Sequence, residues 1–279
     1  MSFVILNRFI GLYLNIFRTL LSFRLWLPFL LYAILQFLVL LACRYYTHPA
    51  LYSILSAPVS LLGERQAEIF SHYPGLFILL PTVVQWGKLL IGVIFEGLII
   101  GIGSVLFMRR FDSAGTGPED RVSAAFSRWM LLQVVWVAIT IILLLINWLL
   151  PTMLSEYLIL SPRRQFVFGI MLRLITVFAF SVFIYAVPSV MVYKNSIAGA
   201  LKGSVLLFSR YPIFSFFLAL VPYLLSVPVS YLLENTPAIV NKFAPVLVFY
   251  ILTVGIIIDM IINYFVTGTV VKFLLDEKR

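Results

Sequence analysis

A chain of 279 residues that is 62% hydrophobic and 11% charged, with a mean hydropathy of +1.08, lies far outside the composition of a soluble domain, where charged residues make up about a quarter. Its net charge of +9 would suggest nucleic acid in a soluble protein, but here the basic residues flank apolar runs, so membrane lipid is expected and no nucleic acid. One cysteine, Cys43, rules out an intramolecular disulfide and any multi-cysteine metal site.

Residues 3–23 are apolar except for Asn7, Arg8, Gly11, Asn15, Arg18, Thr19 and Ser22, which recur every three to four positions. That narrow polar stripe predicts an amphipathic helix lying in the membrane interface, with a seventh, tilted or re-entrant segment as the alternative. Six spans follow: Leu25 to Cys43, Leu89 to Met108, Met130 to Leu150, Phe166 to Tyr193, Ile213 to Leu233 and Ala244 to Val271. "LLAC" before the end of the first span can be read as a lipoprotein cleavage site. Too much apolar chain precedes Arg24 for that, and Cys43 reads as a small apolar residue at a helix end.

The segment 44–88 holds both histidines, His48 and His72, and a dense aromatic set, so it predicts an extracytoplasmic loop with one or two interfacial helices. Two histidines without a placed third ligand read as polar interface residues, and no metal or other cofactor is expected. "RRFDSAGTGPEDR", between the second and third spans, is the most polar piece and reads as a flexible cytoplasmic loop.

Each outward-going span opens on a similar phrase, "SFRLW", "FSRW" or "FSRYP", which places Arg24, Arg128 and Arg210 beside an aromatic ring as interfacial anchors. The chain therefore reads as all-α, one integral membrane domain over 1–279 made of three helical hairpins, each entered through an interfacial helix. With the N-terminus in the cytoplasm, thirteen of the 20 Lys and Arg residues fall on that side. Six fall opposite: Arg44, Arg65, Lys88, Arg163, Arg164 and Lys242. That bias predicts that both termini are cytoplasmic.

Three pentapeptides place a charge inside an apolar run four residues after a glycine: "GVIFE" (Gly92 to Glu96), "GIMLR" (Gly169 to Arg173) and "GIIID" (Gly255 to Asp259). Each glycine shares a helical face with its charge and leaves room for a neighbour; Gly97 and Gly101 of "GLIIG" likewise predict close helix packing. Glu96, Arg173 and Asp259 are expected to face the bundle interior as one polar cluster, with Glu96 and Arg173 paired. For Asp259 a protonated state, a hydrogen-bonded neighbour and a transport site all stay open. Pro188, Pro222 and Pro228 predict kinks in the fourth and fifth spans, or opened carbonyls lining a path. No metalloprotease, nucleophile-elbow or phosphate-loop motif is present, so no catalytic residue is assigned.

At "VPSVMVYKNSIAGALKGSVLLFSRYPIFSFFL", residues 187–218, the chain resembles a broad group of six-span bacterial membrane proteins that includes the membrane domain of some glycerophosphodiester phosphodiesterases. Pro188 leaving the fourth span, "ALKGS" on a short cytoplasmic helix and the aromatic entry to the next span carry the likeness. The resemblance implies six spans and a bacterial cytoplasmic membrane, and brings no catalytic residues. The function expected is a non-enzymatic scaffold or a lipid- or envelope-related component. A secondary transporter or channel for a small solute is the alternative.

Overall fold

The computed structural model describes residues 3–46, 48–60, 63–111, 122–154 and 161–278, which fold into helices and turns without a strand. Apolar runs of about 20 residues or more can cross hydrocarbon only if each backbone group is satisfied internally, and a helix does this within the segment. Six stretches are long and apolar enough to span: Phe23–Arg44, Gly75–Phe111, Trp129–Met153, Val167–Val192, Pro212–Glu234 and Leu247–Lys278. The chain is an all-α polytopic membrane protein.

In chain order the helices are α1 (Phe3–Phe17), α2 (Phe23–Arg44), α3 (Pro49–Ser60), α4 (Glu64–Ser71), α5 (Gly75–Phe111), α6 (Val122–Ser127) and α7 (Trp129–Met153). After these come α8 (Pro162–Phe183), α9 (Ala186–Val192), α10 (Ile197–Arg210), α11 (Pro212–Tyr223), α12 (Val227–Glu234), α13 (Thr236–Lys242) and α14 (Leu247–Lys278). The shorter helices α1, α6 and α10 each stand directly ahead of a spanning helix in the chain.

Two boundaries differ from the sequence reading. The second span begins at Gly75, not Leu89, so the segment 44–88 holds α3, α4 and the first turns of α5. Residues 75–87 are apolar but for Thr82 and Gln85, and Pro81 inside α5 does not end the helix. The last helix runs past Val271 to Lys278, its final turns supported by an i,i+4 ion pair of 2.7 Å between Lys272 and Asp276. Of the polar loop around "FDSAGTGPEDR", residues 112–121 lie outside the described residues.

Prolines mark the breaks. In the fifth span α11 ends one residue after Pro222, a short 3₁₀ turn covers Leu224–Ser226, and Pro228 stands in the first turn of α12. In the fourth, α8 gives way to α9 at Ile184 and Tyr185, and Pro188 removes the N–H that a continuous helix would aim at the Ile184 carbonyl.

The helices group into two compact units. The first comprises Met1–Pro28, Phe95–Tyr223 and Asn263–Arg279; the second Phe29–Ile94 and Leu224–Ile262. In the first unit α8 packs on α7, α10 and α11, around a core that includes Val105, Leu132, Val135, Ile139, Val190 and Ala200. The second unit is centred on Leu40, Phe70, Leu80, Val84, Val248 and Ile256.

Candidate functional site

Glycines stand at several close helix approaches. A Cβ on Gly97 would lie 2.6 Å from the Leu132 carbonyl oxygen of α7, and one on Gly101 would lie 2.5 Å from the Leu132 side chain. At Gly255 it would meet Val229 at 3.2 Å, and Gly92 is buried. Gly169 is different: nothing lies within 4 Å of its Cβ position, so that glycine does not mark a close packing contact.

The pentapeptide charges divide between the units: Glu96 and Arg173, both half-buried, belong to the first, and Asp259 belongs to the second. Asp259 accepts a 2.7 Å hydrogen bond from the Lys88 ammonium, with side-chain exposures of 41% and 23%. Reading the segment 44–88 as a loop puts Lys88 outside the spans, and so misses this pair. Its signal is the near-unbroken apolar chain on both sides of "GK", which the earlier start of α5 turns into one helix. Beside it Gly87 admits Val39 of α2, since a Cβ there would lie 2.5 Å from the valine methyl. Toward one end of the second unit the Arg44 guanidinium lies 4.3 Å over the Phe249 ring.

In the first unit the three anchor arginines behave differently. Arg24 is exposed, while Arg128 donates a 2.9 Å bond to the Val190 carbonyl and so ties the start of α7 to the last turn of α9. Arg210 is largely exposed and reaches Glu277 at 3.5 Å. Glu277 is the centre of a group that spacing does not reveal. Arg8 of α1 donates to it at 2.8 Å, the Tyr211 hydroxyl donates at 3.2 Å, and the Arg8 guanidinium lies 4.8 Å over the Phe273 ring. Burial opposes the charge of Arg8, but the hydrogen bond and field of Glu277 outweigh it and hold its pKa above the ordinary value.

The turn from α1 into α2 is fixed in the same unit. Thr19 bonds Tyr264 at 2.9 Å, Trp26 stacks on Tyr264 at 4.0 Å between ring centres, and the Trp26 indole donates to the Leu20 carbonyl at 3.0 Å. Thus α1 is docked through Arg8, Leu12 and Ile16, and turns Ile10, Leu14 and Phe17 outward.

Two cavities lie in the first unit. One, of about 30 Å³, sits at the break between α8 and α9, lined by Ile184, Pro188, Trp136, Asn263 and Thr267 among others; it is large enough for a water molecule. The other is an open groove of about 570 Å³, lined by Leu150 and Leu154 from α7 and its end, and by Arg164, Val167, Phe168, Met171 and Ile175 from α8.

No protein-family model, curated protein or solved structure matches the chain.

Proposed function

We propose that the protein is a non-enzymatic, multi-pass component of a bacterial inner membrane, with both termini cytoplasmic, that acts as a scaffold or handles lipid or envelope material. Its partners are membrane lipid and other membrane proteins. The observation that supports this reading is the ion pair between Lys88 and Asp259. Asp259 stands ten residues after Phe249, the ring covered by Arg44, and so about 15 Å along α14 from that arginine. An unpaired charge within hydrocarbon costs on the order of 3 kcal/mol. A direct 2.7 Å contact offsets that cost and uses both charges to hold α5 against α14. On the same reading Glu96 and Arg173, both half-buried in the first unit, neutralise each other.

A transporter or channel for a small solute is the second reading, favoured by one feature of the same pair. Asp259 shares a helical face with the buried Leu252 and Ile256, yet its side chain is 41% exposed, so the carboxylate is not sealed within the second unit.

Reconstitution into liposomes separates the two. The scaffold and lipid reading expects no flux of protons, sodium, potassium or small polar solutes above that of empty vesicles, together with retention of particular lipids through purification. A solute flux that disappears in Asp259→Asn, reconstituted at an equal amount of folded protein, would replace it with the transport reading.

A further inference from the structure

We propose that the groove between α7 and α8 holds one acyl chain of an anionic phospholipid from the surrounding leaflet, with the lipid phosphate on Arg164. This rests on the lipid-handling reading above and narrows it to a site and a ligand class.

The register of α8 fits a lipid. Counted from Arg164, the lining residues Val167, Phe168, Met171 and Ile175 come three, four, seven and eleven positions later, which places them on one helical stripe with the arginine at its end. Eleven residues rise about 16 Å, close to half of a hydrocarbon core of roughly 30 Å. The stripe is thus one leaflet long, apolar along its length and cationic where it stops. Leu150 and Leu154, one turn apart, form the facing wall.

Size and exposure fit as well. The groove's volume of about 570 Å³ falls within the roughly 300 to 1,000 Å³ of ligand pockets. Leu154, Val167, Met171 and Ile175 all remain exposed along it, so the described residues do not fill it. An acyl chain in the bilayer already lies among hydrocarbon and gains little by moving into such a groove, so the chain alone gives no preference among lipids.

Preference comes from the charge. A guanidinium pairs with phosphate through two parallel N–H donors, and Arg164 lies in the first turn of a 22-residue helix whose dipole adds to its field. A zwitterionic headgroup brings its own ammonium to compete for that phosphate, whereas the uncharged glycerol headgroup of phosphatidylglycerol does not and leaves the lipid anionic. The site should therefore select phosphatidylglycerol over phosphatidylcholine with the same chains.

The test uses the full chain in nanodiscs containing equal amounts of the two lipids, with native mass spectrometry for retention and a phosphatidylglycerol carrying a photoreactive group at the chain end for mapping. The expected result is about tenfold preferential retention of phosphatidylglycerol, with crosslinks concentrated on Met171 and Ile175. Arg164→Ala should remove the preference, Arg164→Lys should keep part of it, and Lys242→Ala, at an exposed basic residue outside the groove, should leave it intact. Equal retention of both lipids, or crosslinks spread evenly over the spanning helices, would overturn the proposal. The crosslink map is made on the unaltered protein, so its outcome does not depend on a variant folding. Specific lipid retention mapped to another surface would overturn the groove and leave the lipid-handling reading in place. A solute flux without lipid selectivity would remove that reading itself.

Discussion

Glu277 shows how much a single carboxylate near the end of a spanning helix can organise. It is mostly buried, accepts from Arg8 and Tyr211, and lies one turn beyond Phe273, whose ring also receives the Arg8 guanidinium. The group holds an N-terminal helix to the last turns of α14. Because Arg8 is partly exposed and the pair is screened, its contribution is that of a charge-assisted hydrogen bond, about 1 to 2 kcal/mol. Arg8→Ala and Glu277→Ala should each lower the melting temperature in detergent, and the double variant should lose less than the two singles combined. Additive losses would mean that the two residues act separately. None of this is legible in the sequence. The stripe of Asn7, Arg8 and Asn15 gives the right kind of helix, but a polar residue on an interfacial helix reads the same whether it meets water or a carboxylate 269 positions away.

At the scale of elements, the sequence carries the spans well because their signal is local: an apolar run of sufficient length has one way to satisfy its backbone. Breaks at Pro188, Pro222 and Pro228 are legible for the same reason, since a missing N–H acts on its own turn. The start of α5 is not, because dense aromatic residues and two nearby histidines make an apolar helix look like an interfacial loop, and with it Lys88 is lost as the partner of Asp259. Helix contacts are legible in part: a glycine is visible in the sequence, whereas the chain that faces it is not. Gly97 and Gly169 make this testable. Gly97→Ala places a methyl against the Leu132 carbonyl and should force α5 from α7, at a cost of about 1 to 3 kcal/mol. Gly169→Ala meets open space and should be neutral, or stabilising by up to about 1 kcal/mol through helix propensity. Melting curves of the two variants in one detergent decide the matter, and equal losses would refute the difference. For the pair that joins α5 and α14, Asp259→Asn should deplete the folded protein by leaving the Lys88 ammonium without its counter-charge. Lys88→Met added to it should restore part of the yield; a double variant as depleted as the single would show that the pair does not act as a unit.

For the whole molecule, orientation follows from charge asymmetry, and the observed helix boundaries sharpen it. Lys88, which the sequence alone puts among six basic residues on the far side, lies within α5 and pairs with Asp259. It therefore leaves the flanking charges that act on topology, as does Lys272, which lies within α14 and pairs with Asp276, and five remain against twelve on the side of the termini. An even number of spans returns a chain to the side where it began, which predicts that the N-terminus, the loop after α5 and the C-terminus share one side of the membrane and that α3 and α4 lie on the other. The prediction is that a thiol reagent unable to cross the membrane labels Arg65→Cys, an exposed position on α4, in intact cells. It should label Gly115→Cys, in the segment after α5, only after the cells are opened. Background is low because the single native cysteine, Cys43, is only 3% exposed. Labelling of Gly115→Cys from outside intact cells would invert the scheme, and with it the assignment of Arg24, Arg128 and Arg210 to the cytoplasmic interface. Arg164 lies on the opposite side of the fourth span from those three, so the same experiment sets the leaflet from which the groove between α7 and α8 draws its lipid: the outer one, if Arg65→Cys is labelled and Gly115→Cys is protected.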